Sequence, residues 1–433
     1  MKKAYTFFIY FLGAQIATGQ PNTHLQVQGR NLIGTCGDNI VLRGINYPVF
    51  NWGYDLSENY FTELAKTNAN AIRLVWYKNS GQPIYNNLVN LDTALARCVR
   101  SKMIPIVDLH DATCTSDMAQ VAALVSFYTS AGFKALEIKY RKHLIINIAN
   151  EAGVYYWAGN PATALSDYRS TYQNIIISLR NEGLQIPFMV DAPDCGTNSD
   201  AIVSAGQQIL NSDVLGNTMF SVHGYWYGFA NNDSATMATK IQALVNTGLT
   251  IVFGEIANEQ DDAAPCMYLL QYVPLLKIAK ANNIGWMAWC WYHDICNNRQ
   301  ISNNGSSNNL TAYGQVIVND AAVGLKFTAI PPIQLNSGCS VLSIHTSLPG
   351  VINPRNKEIK IFPNPAADVL HITVPARYGR YTLSLFNAID QQKILTTLTD
   401  VTQLPINQLP SGMYLLQIDL TNTEPVQRFF YKL

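Results

Sequence analysis

Short apolar runs alternate with amphipathic stretches along the first three quarters of the chain. The stretches between several runs have helical periodicity, as Leu91, Leu95 and Cys98 show. Near-continuous apolar runs are typical of strands buried on both faces of a parallel sheet. The eight runs are Val41–Tyr47, Ala71–Trp76, Ile104–His110, Leu144–Glu151, Pro187–Ala192, Phe220–Tyr225, Thr250–Ile256 and Trp286–Tyr292. Eight strand–helix units predict an α/β fold, a (βα)8 TIM barrel, over residues 20–320.

The pattern changes after residue 320. Residues 330–356 lack periodicity and carry Pro, Ser, Asn and Gly, so we interpret residues 321–356 as a linker. Short alternating segments separated by turn residues follow, and they predict a small all-β sandwich over residues 357–433. Its predicted strands are Ile359–Phe362, Val369–Val374, Tyr381–Phe386, Tyr414–Ile418 and Gln427–Tyr431.

The first nineteen residues have the order of a secretory signal peptide. Met1-Lys-Lys3 is charged, Ala4–Ile16 is apolar, and small residues at Ala17-Thr-Gly19 suit cleavage. A membrane anchor is the alternative, but the run is short, and no later run reaches the roughly 18 apolar residues of a transmembrane helix. We therefore expect export, with residues 1–19 removed and no transmembrane anchor.

Composition narrows the choice of partner. Lys plus Arg and Asp plus Glu each number 29, and charged residues make up only 13% of the chain. A protein that binds nucleic acid or an anionic membrane usually carries a basic surface, so neither partner is expected. An uncharged polysaccharide fits the abundance of Tyr and Trp better.

Eight cysteines in an exported chain permit up to four disulfides, and the sequence does not choose among the pairings. Cys114 and Cys195 each follow a predicted strand closely, and Cys290 and Cys296 are near each other. We expect some of these bonds to staple loops near the functional site. The spacing is not that of a zinc site, and we expect no metal or other cofactor.

Two carboxylates close two of the predicted strands. Glu151 ends the fourth apolar run, and Glu255 follows Thr250–Gly254 in the seventh. The carboxyl ends of barrel strands share one pocket. Cleavage of a glycosidic bond needs one carboxylic acid to protonate the leaving oxygen and one carboxylate at the anomeric centre. Either residue alone could be a structural acid, but the pair predicts a glycosidase.

Further polar residues are expected at the same mouth: Arg73, His110, His223 and Tyr225. His223 and Tyr225 lie two apart, so both should point into the barrel. We expect Arg73 to keep Glu255 ionised and Tyr225 to hydrogen-bond that carboxylate. Each of these could instead be a core residue, and Asp108 and Asp111 beside His110 could be structural.

Six of the seven tryptophans fall at or just after predicted strand ends, where flat rings could bind pyranose faces. They are Trp52, Trp76, Trp157, Trp226, Trp289 and Trp291. The alternative is that some of them cap the barrel core.

An ordered set of motifs resembles glycoside hydrolase family 5 over about residues 25 to 315. The motifs are Arg43-Gly-Ile-Asn46, Asn70-Ala-Ile-Arg73, Asp108-Leu-His-Asp-Ala-Thr113, Ile146-Asn-Ile-Ala-Asn-Glu151, Val190-Asp-Ala192, Ser221-Val-His-Gly-Tyr225, Phe253-Gly-Glu255 and Gly285-Trp-Met-Ala-Trp289. The resemblance implies that Glu151 is the acid and base and that Glu255 is the nucleophile. It also implies that Asn150 binds the 2-hydroxyl and that Trp289 floors the subsite of the attacked sugar. Arg73, His110, His223 and Tyr225 would complete that subsite.

Within this family, the His-Asp-Ala-Thr and Val-Asp-Ala motifs look most similar to bacterial β-1,4-mannanases. Ala152 stands where members commonly have proline or tryptophan, and Trp289-Cys-Trp-Tyr-His293 departs from the usual mannanase sequence. We therefore expect a retaining endo-β-1,4-glycanase and favour a mannanase. A β-1,4-glucanase is the alternative within enzymes, and a surface glycan-binding protein with an inactive barrel is the alternative outside them.

The last segment resembles the sorting domain of the type IX (Por) secretion system. The motifs are Ile361-Phe-Pro-Asn-Pro365, Leu409-Pro-Ser-Gly-Met-Tyr-Leu415 and the basic, aromatic final strand that ends at Tyr431-Lys-Leu433. This resemblance implies recognition by the secretion machinery and passage through the outer membrane to the cell surface or the medium. A carbohydrate-binding module is the alternative, but the segment contains no Trp.

Overall fold

The chain divides into two compact units, residues 1–342 and 343–433. The structure, a computed structural model, describes residues 22–48, 58–78, 87–224, 229–260, 268–294, 296–336, 339, 359–364, 366–387, 393–410, 412–420 and 426–432. The predicted signal peptide, Trp52, Tyr225 and Trp226 lie outside the described residues, as does most of the predicted linker.

A small antiparallel sheet precedes the barrel. Its strands are β1 (Gln26–Gln28), β2 (Asn31–Ile33) and β3 (Asn39–Ile40). Leu32 and Ile40 belong to one buried cluster with Ile104 and Ile145, which begin two barrel strands. The sheet therefore covers the amino end of the barrel.

Eight parallel strands close into a barrel, which confirms the predicted (βα)8 fold. Seven of them are β4 (Arg43–Tyr47), β5 (Ala71–Trp76), β6 (Ile104–Leu109), β7 (Ile145–Asn147), β8 (Phe188–Asp191), β9 (Thr218–His223) and β10 (Ile251–Ile256). A short hairpin of β11 (Glu259–Gln260) and β12 (Tyr268–Leu269) precedes the last barrel strand, β13 (Gly285–Ala288).

Amphipathic helices surround the barrel and bury their apolar faces against it. In Leu88–Arg100, for example, Leu91, Leu95 and Cys98 are buried, as their spacing predicts. The other helices around the barrel are Glu58–Ala65, Met118–Ala123, Val125–Tyr128, Ala131–Tyr140, Pro161–Asn181, Ser199–Leu210, Ser234–Asn246, Tyr272–Ala281 and Ala312–Asn319.

The barrel domain continues past residue 320, where we expected the linker to begin. Two short helices, Leu325–Thr328 and Ile333–Asn336, follow. Leu325 is fully buried in the barrel's main apolar cluster, and a disulfide joins Cys339 to Cys36 of the amino-terminal sheet region. Each helix is a single turn, too short to give a periodic pattern, so the sequence did not reveal them.

The carboxyl-terminal unit contains two antiparallel sheets. One comprises β14 (Lys360–Phe362), β15 (Val369–Thr373) and β18 (Gln403–Pro405), and the other comprises β16 (Tyr381–Asn387), β17 (Lys393–Thr399), β19 (Gly412–Leu420) and β20 (Val426–Lys432). Leu370 and Leu404 from the first sheet share a buried core with Leu383 and Leu416 from the second. This is the expected all-β sandwich, with β17 and β18 as strands that the sequence did not predict.

Among the described residues, no single helix is both long and apolar enough to cross a membrane. The bent helix pair 118–128 and 131–140 meets the length and composition criteria together. Val121, Tyr128 and Phe133 from this pair are buried in the barrel's apolar core.

Candidate active site

Glu151 and Glu255 meet at the carboxyl end of the barrel. Glu255 lies within β10, whereas Glu151 lies four residues beyond the end of β7, in a turn with φ of 52°. One oxygen of each carboxyl group and a ring nitrogen of His223 all lie within 4.8 Å of one another. The Glu151 backbone N–H donates to Asp191 Oδ2 at 3.0 Å, which fixes the turn. The structure therefore brings together the two carboxylates that the sequence placed on separate strands.

Arg73 is the centre of a buried polar network behind the pair. Its Nη1 donates to Glu255 Oε1 at 2.6 Å, and its Nη2 lies 2.9 Å from Asp108 Oδ2. Three amide oxygens and a further carboxylate surround the same guanidinium: Asn46 at 3.0 Å, Asn147 at 3.1 Å, Asn150 at 2.8 Å and Asp191 at 3.4 Å. Burial alone would lower the pKa of Arg73, but Asp108, Glu255 and Asp191 raise it above its ordinary value. Arg73 is therefore a permanent cation at the base of the site.

His223 is a second buried cation. Its Nδ1 lies 2.7 Å from Glu151 Oε1 and 3.8 Å from Glu255 Oε2, and its Nε2 lies 3.4 Å from Asp191 Oδ2. Burial lowers the pKa of His223, but Glu255 and Asp191 outweigh this effect and raise it to about 10. At neutral pH the imidazolium therefore donates to Glu151. The pKa of Asp191 is correspondingly lowered: burial opposes its ionisation, but His223 and Arg73 favour it.

Glu255 experiences opposing effects. Burial raises its pKa to about 7, although His223 and Arg73 both lower it, and Glu151 raises it. We expected Arg73 to keep this carboxylate ionised. Arg73 does favour the ionised form, but the desolvation of Glu255 is larger, so the group titrates near neutrality.

Asn150, His110 and Trp289 lie around the pair. Asn150 Nδ2 donates to Thr113 Oγ1 at 3.1 Å, so its amide is held from both ends. The His110 ring stacks on Trp289, with centroids 6.3 Å apart and planes 22° apart, and its Nε2 contacts Asp108. Asp108 thus contacts both Arg73 and His110. Tyr225 lies outside the described residues, so its expected bond to Glu255 stays a prediction.

A buried ion pair supports Trp289. Trp289 Nε1 donates to Asp294 Oδ2 at 2.6 Å, and Arg299 donates to the two oxygens of the same carboxylate at 2.6 and 2.8 Å. Asp294 and Arg299 were not predicted. They lie in a loop of mixed polar and aromatic residues after β13 that has no periodic pattern.

The tryptophans divide between core and surface. Trp76 and Trp291 are fully buried in the main apolar cluster, so these two cap the core instead of facing a sugar. Trp289 is only 6% exposed and stacks on His110, while Trp157 is 55% exposed on the loop after Glu151.

A disulfide joins the loops that flank Glu151. Cys114, after β6, is bonded to Cys195, after β8, which agrees with the expectation of a bond near the site. Cys296 is also disulfide-bonded, whereas Cys98 and Cys290 are buried thiols, so four disulfides do not form. Backbone bonds from Gly153 N–H to Thr115 and from Asp194 N–H to Gly153, at 2.8 and 3.0 Å, join the same three loops.

Asp194 organises an aromatic loop beside the site. Its carboxylate accepts from the backbone N–H groups of Tyr155 and Tyr156 at 2.7 and 2.9 Å, and from Asn198 Nδ2 at 2.7 Å. The two tyrosine rings stack with centroids 4.3 Å apart. This group was not predicted, because Asp194 lies in a loop without periodicity.

Two sets of side chains bring three potential metal ligands within 4.8 Å of one another. In Cys114, Glu151 and Cys195 the sulfurs are joined in a disulfide, so they are not thiolates. In Glu151, His223 and Glu255 the imidazole is protonated at neutral pH because its pKa is raised to about 10, which occupies its lone pairs. A metal ion would have to displace this proton before it could bind His223.

Two family models match separate parts of this chain. The model of the cellulase family, glycosyl hydrolase family 5, matches residues 34–294, and that of a secretion system C-terminal sorting domain matches residues 360–432. A mannan endo-1,4-beta-mannosidase from Salipaludibacillus agaradhaerens is 30% identical over 308 residues, covering 70% of this chain and 94% of the relative.

A second mannan endo-1,4-beta-mannosidase, from Cellvibrio japonicus, is 27% identical over 320 residues, covering 71% of this chain and 69% of the relative. Among solved structures, the mannohexaose complex of Thermomonospora fusca beta-mannanase superimposes with a TM-score of 0.62 at 21% identity. The superposition covers 72% of this chain and 100% of that structure. At this sequence identity, the structural similarity shows the fold alone.

Proposed function

Because the chain belongs to glycoside hydrolase family 5, we propose that it is a retaining endo-β-1,4-mannanase that uses Glu151 and Glu255 as its catalytic pair. The enzyme is a glycoside hydrolase, and its carboxyl-terminal domain directs type IX export to the cell surface or the medium. The observation that carries the mechanistic proposal is the shared cluster of Glu151, His223 and Glu255, whose polar atoms lie within 4.8 Å of one another.

The separation of the two carboxylates supports retention. Retaining enzymes hold their carboxyl groups about 5–5.5 Å apart, whereas inverting enzymes leave roughly 6.5–9.5 Å for an attacking water. The nearest oxygens of Glu151 and Glu255 lie within 4.8 Å, which is on the short side of this division. This separation supports a direct attack of Glu255 on the anomeric carbon.

Each carboxylate has one oxygen held by a buried cation. Arg73 binds Glu255 Oε1, and His223 binds Glu151 Oε1. In the first step, Glu151 Oε2–H protonates the leaving glycosidic oxygen while a Glu255 oxygen forms a bond to the anomeric carbon. The ester removes the negative charge of Glu255. Glu151, now ionised, then takes a proton from the water that cleaves the ester.

The attacked sugar would be bound by the residues around the pair. Asn150 Nδ2 retains a second N–H beyond the one donated to Thr113, and this N–H is the proposed donor to the 2-hydroxyl. Trp289, fixed by Asp294, would present its face to the ring, and His110 would border the same subsite. These roles match those implied by the sequence motifs.

The choice of mannan over glucan rests on the relatives. Two relatives that cover most of the catalytic domain are mannan endo-1,4-beta-mannosidases. Mannose and glucose differ in the orientation of the hydroxyl at C2, which is the hydroxyl that Asn150 would bind. A β-1,4-glucanase is the second candidate, because glycosyl hydrolase family 5 is also described as the cellulase family.

Reducing-sugar release by the purified full chain tests this proposal on β-mannan, glucomannan and carboxymethyl cellulose. The Glu255→Ala variant is the negative control, and Glu182→Ala, which removes an exposed glutamate paired with Lys134, is the matched control. Mannan cleavage that is lost only in Glu255→Ala would support the mannanase. Cleavage of the cellulose derivative alone would favour the glucanase, and polymer binding without any cleavage would favour a glycan-binding protein.

A further inference from the structure

We propose that the Cys114–Cys195 disulfide positions the general acid. Its sulfur packs against the oxygen of Glu151 that carries the catalytic proton. This inference rests on the proposed role of Glu151. It concerns a feature outside the motifs that imply the catalytic residues.

The two carboxyl oxygens of Glu151 have different neighbours. Oε1 accepts from His223 at 2.7 Å, so Oε2 is the oxygen that must carry the catalytic proton. Cys114 Sγ lies 3.3 Å from Oε2. The disulfide thus contacts the reactive oxygen directly.

The chemistry of a disulfide suits this position. A disulfide sulfur carries no hydrogen and is a weak acceptor, so it neither donates to Oε2 nor competes strongly for its proton. A water molecule or a thiol in the same place would donate a hydrogen bond to Oε2 and draw the carboxyl group toward itself. The disulfide therefore keeps a competing donor away from the oxygen that must face the leaving group.

The backbone at this point depends on its surroundings. Cys114, Glu151 and Cys195 have φ values of 53°, 52° and 51°. Left-handed conformations at non-glycine residues persist where the neighbouring structure fixes them. The disulfide joins the first and third of these residues across the second, so it constrains both the turn and the direction of the Glu151 side chain.

The loops that carry Cys114 and Cys195 are also joined by backbone hydrogen bonds, so removal of the disulfide should leave them folded. The backbone bonds from Gly153 to Thr115 and from Asp194 to Gly153 link the same loops without the disulfide. We therefore expect the Cys114→Ala/Cys195→Ala variant to fold. Its matched control is Cys36→Ala/Cys339→Ala, which removes the disulfide joining the amino-terminal sheet region to residue 339.

Two aryl β-mannobiosides distinguish positioning from a merely structural role. The 2,4-dinitrophenyl leaving group departs without protonation, whereas the 4-methylphenyl group needs the acid. General acid catalysis contributes about 10²–10⁴-fold, so we expect Cys114→Ala/Cys195→Ala to lose at least about tenfold in kcat/KM on the methylphenyl substrate. We expect nearly unchanged kcat/KM on the dinitrophenyl substrate, and no effect of the control variant on either.

Equal loss on both substrates, or no loss on either, would overturn the inference while leaving the proposed function standing. If the wild-type enzyme cleaved neither mannobioside, the proposed function would fail and the inference with it. Should the double variant not fold, treatment of the folded wild type with a phosphine reductant replaces it. Two electrons from the phosphine and two protons convert the bond to two thiols. The variants Cys36→Ala/Cys339→Ala and Cys296→Ala, treated identically, control for the other disulfide-bonded cysteines. The same selective loss is expected, and its absence would refute the inference.

Discussion

The imidazole of His223 lies between two carboxylates, with Nδ1 2.7 Å from Glu151 Oε1 and Nε2 3.4 Å from Asp191 Oδ2. A buried imidazole between two carboxylates retains its proton at pH values well above the ordinary pKa of histidine. One buried cation therefore stabilises a structural carboxylate on one side and orients the proposed acid on the other.

This arrangement predicts that stability falls at alkaline pH. The pKa of His223 is 6.5 ordinarily and is raised to about 10 in the folded protein, so the native state holds a proton that the unfolded state releases. The contribution is complete below pH 6.5 and is lost as the pH rises through 10. Denaturant unfolding of wild type and His223→Asn at pH 6 and pH 10 measures it. The wild type should lose more free energy of unfolding than the variant; parallel losses would contradict the assignment.

Along the acidic limb of the pH profile, activity should increase as the pH rises through neutrality. Burial raises the pKa of Glu255 to about 7, and the nucleophile must be ionised to attack. The acidic limb of kcat/KM reports the free enzyme, so its midpoint should lie near pH 7. The measurement is a pH profile on a soluble mannan oligosaccharide. A midpoint near pH 4.5 would mean that Arg73 and His223 outweigh burial.

Removing the Arg73 guanidinium should destabilise the fold as well as inactivate the enzyme. Arg73→Met leaves Asp108, Asp191 and Glu255 buried without their shared cation. Loss of one partner of a buried ion pair costs about 3–5 kcal/mol. Lys66→Met is the matched control, because the pair of Lys66 with Glu63 is on the surface and is worth about 1 kcal/mol or less. Urea unfolding of both variants measures the difference; equal, small losses would disprove a central structural role.

Asp294 should affect the sugar subsite through Trp289. Asp294→Ala removes the acceptor of the Trp289 indole N–H and the partner of Arg299. An indole without this bond can turn away from the sugar, and a misplaced binding group can cost about 100-fold in rate. We expect kcat/KM on mannan to fall by about tenfold to 100-fold, with a changed near-ultraviolet circular dichroism of tryptophan. Unchanged kinetics and an unchanged spectrum would show that Trp289 is held without Asp294.

The sequence predicted those parts of the fold that depend on local pattern. The run Ala71–Trp76 has the same bounds in the structure, because all six residues are buried between neighbouring strands. The fourth run extended to Glu151 in the prediction, but β7 ends at Asn147. The Ile148 and Asn150 N–H groups still donate to Met189 and Leu109 of the neighbouring strands, and the turn comes at Glu151. Lys393–Thr399 forms a strand despite its polar composition, since pairing with β16 decides its conformation.

The residues of the candidate site were likewise predicted only in part. Motif position placed Glu151, Glu255, Arg73 and His223 at one mouth, and the structure brings these four together. Asp194 and Asp294 were not found, because each acts on a loop through contacts that a linear pattern does not encode. The titration of Glu255 depends on desolvation, which follows only from packing in three dimensions.

The Cys36–Cys339 bond has a consequence for maturation. It ties the amino-terminal sheet region to the last described residue of the barrel unit, before the chain continues to the sorting domain. A protease that cut between residues 343 and 358 would sever no covalent link within the catalytic unit. Proteolytic removal of the sorting domain would therefore leave the Cys36–Cys339 disulfide of the barrel unit intact.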